Sequence, residues 1–138
     1  MAKATLAQEL HLRARNETGL LGRILITLAL EKIDIVHLSA YSEENGYGHL
    51  QLMTRDNVRA RKVLSHFIEG FEEREVLVVE FENKAGTLAP VARLLGSHGI
   101  SILSVFGTSG DGFKITGVFS TNDNARALDL INTDESRL

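Results

Sequence analysis

Two tetrapeptides carry the residues best suited to hold a small molecule: Asn16-Glu17-Thr18-Gly19 and Asn83-Lys84-Ala85-Gly86. Each stands just before a stretch whose apolar residues recur at helical spacing. The first turn of a helix offers backbone N–H groups without intrahelical acceptors, at the positive end of the helix dipole. A carboxylate suits such a place. Glycine lets a ligand come close to the backbone. An asparagine amide, together with strand carbonyls, can take an ammonium group. The same residues also have an architectural use, because asparagine makes Asx-turns and caps and glycine adopts positive φ. Both uses can coexist. Lys84 stands where the first loop has Glu17, which would draw a carboxylate slightly toward the second loop.

Other residue sets point to less. The five histidines, His11, His37, His49, His66 and His98, form no pair at helical i, i+4 spacing, and they read as solvated strand or helix positions. No metal site is expected. Arg55, Arg59, Arg61 and Lys62 spread around a helix diluted by Asp56 and Glu69, a solvated face. Glu72, Glu73 and Glu75 flank Arg74 and discourage edge-to-edge aggregation rather than forming an acid/base pair. The glycine-rich run 107–112 joins strand to strand. It lacks the following helix and lysine of a phosphate cradle. There is no cysteine, which excludes disulfides, thiolate metal sites and a cysteine nucleophile. No cofactor is expected.

The elements that hold these loops follow from a repeat. Shifting the 138-residue chain by 67 positions aligns it with itself without a gap. Between residues 9 and 64 the match has 13 identities in 56 positions, clustered at element junctions. Among them are Asn16 with Asn83, Gly19 with Gly86, Ile33 with Ile100, and Thr54-x-Asp56-Asn57 with Thr121-x-Asp123-Asn124. Each copy begins with a strand, 10–15 or 76–81. A helix follows over 20–32 or 87–98, with Pro90 in the first turn and Gly99 as a C′ glycine. A hairpin comes next, marked by Asn45-Gly46 or by the glycines of 107–112. Asp56 and Asp123 cap a second helix. The order is β-α-β-β-α in each copy. A fourth strand is weakly signalled at 71–75 and missing after the second copy, so the copies share strands or one sheet lacks its edge. The boundaries drawn are 1–70 and 71–138.

Two such units, each with Asn-x-x-Gly-x-Leu opening the first helix and Ile-x-Ile entering the second strand, resemble the ACT domain. This is the small regulatory module of amino-acid metabolism. The family loop usually reads Asn-x-Pro-Gly; Thr18 and Ala85 stand at the proline position. The resemblance spans residues 9–131 and is nearest to stand-alone proteins of two ACT domains and to the tandem regulatory module of aspartokinases. It implies an α+β fold of two ferredoxin-like subdomains, antiparallel sheets side by side with helices on one face. It also implies an amino-acid site at the helix-1 loops of paired domains. Asn16, Thr18, Gly19 and Leu20 would form one half-site, and Asn83, Ala85, Gly86 and Thr87 the other. Residues around Ile33-Asp34 and Ile100-Ser101 would close them.

Composition restricts the function further. The net charge is −3 with pI about 5.9, which gives no electrostatic footprint for nucleic acid. The first-copy strands that would stack bases, 10–15 and 49–54, have no Phe, Tyr or Trp. No apolar run approaches the length of a membrane span, and the N-terminus has no apolar signal core, so the expectation is a cytoplasmic protein. No triad or carboxylate pair suggests an enzyme. The expected function is a non-catalytic regulatory module for a small amino acid or related carboxylate, working as a homodimer. The competing reading is an interaction subunit without a ligand, bound to a metabolic enzyme through its sheet edge.

Overall fold

In the computed structural model, residues 2–133 are described. Their elements are β1 Lys3–Arg15, α1 Leu20–Leu30, β2 Ile35–Ser42, β3 Tyr47–Thr54, α2 Asn57–Leu64 with a 3-10 turn at Ser65–Phe67, β4 Gly70–Glu82, α3 Ala89–Ser97, β5 Ile102–Ser109, β6 Lys114–Thr121 and α4 Asn124–Thr133. The ladders are antiparallel and the class is α+β. The β-α-β-β-α order occurs twice.

The chain divides into two compact units, residues 8–74 and residues 1–7 with 75–138. In the first-repeat unit β3 lies between β2 and β1. Leu10 pairs with Leu52 and Leu12 with Leu50, while Leu38 and Ala40 extend the same rows. Strand pleating sends these side chains to one face. There they meet Ile24 and Leu28 of α1 and Ala60 and Leu64 of α2. The second unit repeats the plan with β4-β6-β5. Leu77, Val79, Phe81 and Phe119 pack against Val91, Leu94 and Leu95 of α3 and Ala127 and Ile131 of α4.

The two long strands differ from the shorter ones expected. β1 and β4 each run 13 residues. Residues 1–7 belong to the unit of the second repeat. Ala2 and Ala4 are buried in its core. The Ala4 backbone bonds both ways to the Asn132 amide, at 2.8 Å and 2.9 Å. The start of β4, residues 70–74, stays with the first-repeat unit, and just before it the Glu69 N–H donates to the Arg13 carbonyl at 3.0 Å. Within β1, residues 3–7 thus go with the second-repeat unit and residues 8–15 with the first-repeat unit.

Turn chemistry follows the sequence closely. Asp56 and Asp123 accept from the Arg59 and Arg126 N–H groups, each at 3.1 Å. Asn57 Oδ1 accepts from the Thr54 N–H and hydroxyl, and Asn124 Oδ1 does the same for Thr121. α1 stops at Leu30, two residues short of the expected end. The Ile33 N–H reaches back to the Leu28 carbonyl at 3.0 Å, with Lys32 at φ 56°. Gly99, its counterpart, has φ 72°. α3 starts at Ala89 because the Thr87 hydroxyl donates to the Glu82 and Lys84 carbonyls and holds the preceding loop.

Candidate ligand-binding site

The loop 16–19 leaves β1 and delivers the chain into α1. Gly19 takes φ 85°, where a side chain would be strained, and no side chain caps the helix. The Leu20 N–H bonds the Glu17 carbonyl and the Arg23 N–H the Gly19 carbonyl. The Leu21 and Gly22 N–H groups fall in the first turn, where no intrahelical carbonyl reaches them. Thr18 and Gly19 are exposed. Asn16 is bonded through its backbone to the Gly46 carbonyl at 2.9 Å. Its amide makes no side-chain hydrogen bond among the described residues.

Beside this loop a cleft of about 240 Å³ opens between the first turns of α1 and the β2–β3 hairpin. Leu12, Ala14, Leu20, Leu21, Ile24, Ala40, Leu50 and Ile68 supply apolar walls, and Asn16 and Ser42 supply polar groups. Tyr41 and His49 also border it, but pleating turns their side chains to the other face, where the rings stack at 4.9 Å. A second, polar hollow adjoins at Leu20 and Ile68 and holds Arg15, Arg23 and His66 with Glu17 and Glu69. Arg23 is 3.6 Å from Glu17.

The second repeat places the equivalent residues differently. Gly86 has φ 86° and again precedes the helix. The Asn83 amide, however, donates to the Gly112 carbonyl at 2.9 Å and to the Ser109 hydroxyl at 3.2 Å, fastening the β5–β6 turn. Lys84 pairs with Glu82 at 3.0 Å rather than standing free for a carboxylate. Ala85 is exposed, and Thr87 is engaged with the loop backbone. Phe81 stands where the first repeat has Ala14, and Ile115 where it has Gly48. The Phe81 ring reaches over Gly117: a Cβ built there would lie 3.3 Å from Phe81 and 2.9 Å from Phe119.

Ile33, Asp34, Ile100 and Ser101 do not gather at these loops within either unit. They follow the C-terminal ends of α1 and α3. Ile33 and Ile100 are buried in the two cores. The Asp34 carbonyl accepts from the Arg55 N–H, and Ser101 exchanges two hydrogen bonds with Asn122.

The sequence reading missed a polar cluster on the helix-free face of the first repeat. Glu9 is almost wholly buried, and burial pushes its carboxyl above the ordinary range, with Arg74 pulling the other way. The His11 and His49 rings are 5.5 Å apart. Burial, then Arg74 and His49, hold the His11 imidazole below its usual value, and burial alone does so for His37. His11 Nε2 has no hydrogen-bond partner among the described residues. His49 Nε2 is 2.9 Å from Glu43. Period-two alternation of Glu9, His11, Arg13 and Arg15 was the available signal. The described residues contain no group of three metal-ligating side chains and no helix long and apolar enough to cross a membrane.

No protein-family description matches the sequence, and no curated protein does. Solved structures do. A protein of Bacteroides thetaiotaomicron aligns over 92% of this chain and 87% of its own, with TM-score 0.82 and 23% identity. The regulatory subunit of aspartate kinase from Thermus thermophilus, in its ligand-free form, aligns over 93% of both chains with TM-score 0.63 and 13% identity. Escherichia coli aspartokinase III, solved with aspartate and ADP, aligns over 99% of this chain but only 33% of the enzyme, with TM-score 0.64 and 16% identity. The chain has the ACT-type fold of aspartate kinase regulatory domains.

Proposed function

We propose that this chain is a non-catalytic regulatory module that binds a small amino acid or related carboxylate at its helix-1 loops. One observation carries the reading: an uncapped helix N-terminus at a positive-φ glycine opens beside a preformed cleft in the first repeat. The helix end offers donors to a carboxylate, and the Asn16 amide stands beside them. The fold it shares with aspartate kinase regulatory domains supports a regulatory role. Homodimerisation belongs to the same proposal. β2 and β5 carry exposed apolar side chains, Val36 at 53% and Leu103 at 67%, which a second copy would cover.

Thermal unfolding of the full chain across the amino acids tests the ligand. At 100 times its dissociation constant a ligand adds about 2.7 kcal/mol. For a chain of this size, that is a rise of about 5–15 °C. Absence of any rise at millimolar concentration would reject the amino-acid reading and leave the ligand-free interaction subunit. Sedimentation at micromolar concentration tests the dimer, and a clean monomer counts against it.

A further inference from the structure

We infer that the ligand is an amino acid, or its 2-oxo-acid analogue, with a branched aliphatic side chain, and that the chain binds it once, in the first repeat only. This rests on the regulatory reading above and adds the side-chain chemistry and the stoichiometry. The cleft beside α1 is walled by eight apolar residues, with its few polar groups at Asn16 and Ser42. Its volume of about 240 Å³ falls below the roughly 300–1,000 Å³ of sites for drug-sized molecules. It therefore suits a single small metabolite. A charged or amide side chain among these walls would lose water for few partners in return. A branched hydrocarbon gains from the same walls.

The other end of the ligand is also provided for. At Leu20 and Ile68 the cleft adjoins a polar hollow where Arg23 and His66 stand with Glu17 and Glu69, Arg23 lying 3.6 Å from Glu17, so the carboxylate is left to the first turn of α1. Leu20 marks the junction, at the start of α1, with the unpaired N–H groups of Leu21 and Gly22 next to it. An ammonium group would find Asn16 Oδ1.

The second repeat supplies the control within the same molecule. Its loop has the same glycine geometry, but the space between helix and hairpin is taken, and the hollow of about 500 Å³ at Gly86 lies instead along α3, against Ala89, Pro90, Arg93 and Ser97. Phe81 is buried in the core where the first repeat has Ala14, and Ile115 packs against that core where the first repeat has Gly48. Gly117 replaces Leu50 and makes room for the Phe81 ring. The Asn83 amide is spent on the hairpin turn. Two repeats with one backbone plan thus differ at the positions that decide whether a side chain can enter.

Calorimetric titration of the full chain with L-leucine, 4-methyl-2-oxopentanoate and L-aspartate tests this, alongside two variants. Gly48→Ile imports the second repeat's residue; a Cβ there meets Asn16 and Ala14 atoms at 3.7–3.8 Å, ordinary contact distances. Leu21→Gln changes a wall residue that is 44% exposed and so leaves the core intact. The expected result is leucine or the oxo acid binding at one per chain, at least tenfold tighter than aspartate, and at least tenfold weakened in each variant that keeps the parent circular dichroism spectrum. Two equivalents per chain, or leucine binding unchanged in a folded variant, overturns the inference. Aspartate binding that survives both variants overturns it too, while leaving the regulatory reading in place. No binding by any amino acid removes both.

Discussion

Single residues decide how the two repeats diverge, and Gly117 is the clearest of them. Its absent side chain is what allows the Phe81 and Phe119 rings, 6.3 Å apart, to fill the second core. Gly117→Ala would force a Cβ to 2.9 Å from the Phe119 ring. Overpacking of this kind costs about 1–3 kcal/mol, to be read from denaturant midpoints at unchanged m-value. Gly48→Ala, whose Cβ would meet Asn16 and Ala14 atoms at ordinary contact distances of 3.7–3.8 Å, should change stability by less than about 0.5 kcal/mol. Titration works at the same scale. The His11 imidazole is held below its unfolded value by burial, Arg74 and His49. The unfolded chain therefore takes up its proton first as pH falls. The stability this group contributes is complete above about pH 6.5 and is lost below it, as pH drops toward the folded value. His11→Phe should flatten the decline in melting temperature between pH 7 and pH 5. Glu9 acts in the opposite sense: its raised carboxyl value makes stability fall as pH climbs out of the ordinary carboxylate range. Glu9→Gln should thus gain more at pH 7 than at pH 4. A parallel shift at both values would contradict the burial argument.

Elements were legible where local chemistry fixes them. Asn45-Gly46, Asp56, Asp123, Pro90 and Gly99 each name a turn, cap or stop, and each stands where it should. The long strands were less legible. Lys3 to Gln8 carries only small or polar residues, and burial of Ala2 and Ala4 arises from contacts with residues far along the chain. The cleft was invisible for a related reason: it is made by what Ala14 and Gly48 lack, and no motif records an absence. The end of α1 yields a prediction. Lys32 occupies the left-handed region that Gly99 occupies in the other repeat. A side chain there costs about 1–2 kcal/mol, while glycine costs about 0.5–1 kcal/mol in unfolded-state entropy. Lys32→Gly should be neutral to stabilising by about 1 kcal/mol, measured by chemical denaturation. A clear loss would show that Lys32 makes a contact stronger than its strain. The hairpin locks should also separate. Asn83→Ala removes two side-chain bonds that hold the β5–β6 turn and should cost about 1–2 kcal/mol. Asn16→Ala removes none seen here and should leave stability nearly unchanged.

At the scale of the whole molecule, residues 2–7 fold with a segment that lies more than 65 positions further along the chain. Residues 2–7 complete the unit that continues over 75–133, and Ala4 is 3% exposed in that unit's core. The Asn132 amide bonds the Ala4 N–H and carbonyl together, a link across 128 positions of sequence. The same β1 strand then supplies Leu10 and Leu12 to the other core. One strand thus serves two cores, and damage to its first half should be felt unequally. Ala4→Asp would bury an unpaired carboxylate, a change that belongs to the severe class of more than about 3 kcal/mol. Asn132→Ala, removing two bonds at a partly buried site, should cost about 1–2 kcal/mol. Hydrogen exchange distinguishes where the loss falls. Amides of β4, β6 and α4 should exchange faster in Asn132→Ala, while those of β3 and α2, packed on Leu10, Leu12, Leu52 and Leu64, should keep most of their protection. Equal acceleration throughout would mean that the two units open as one cooperative body, and that the shared strand transmits the loss in full.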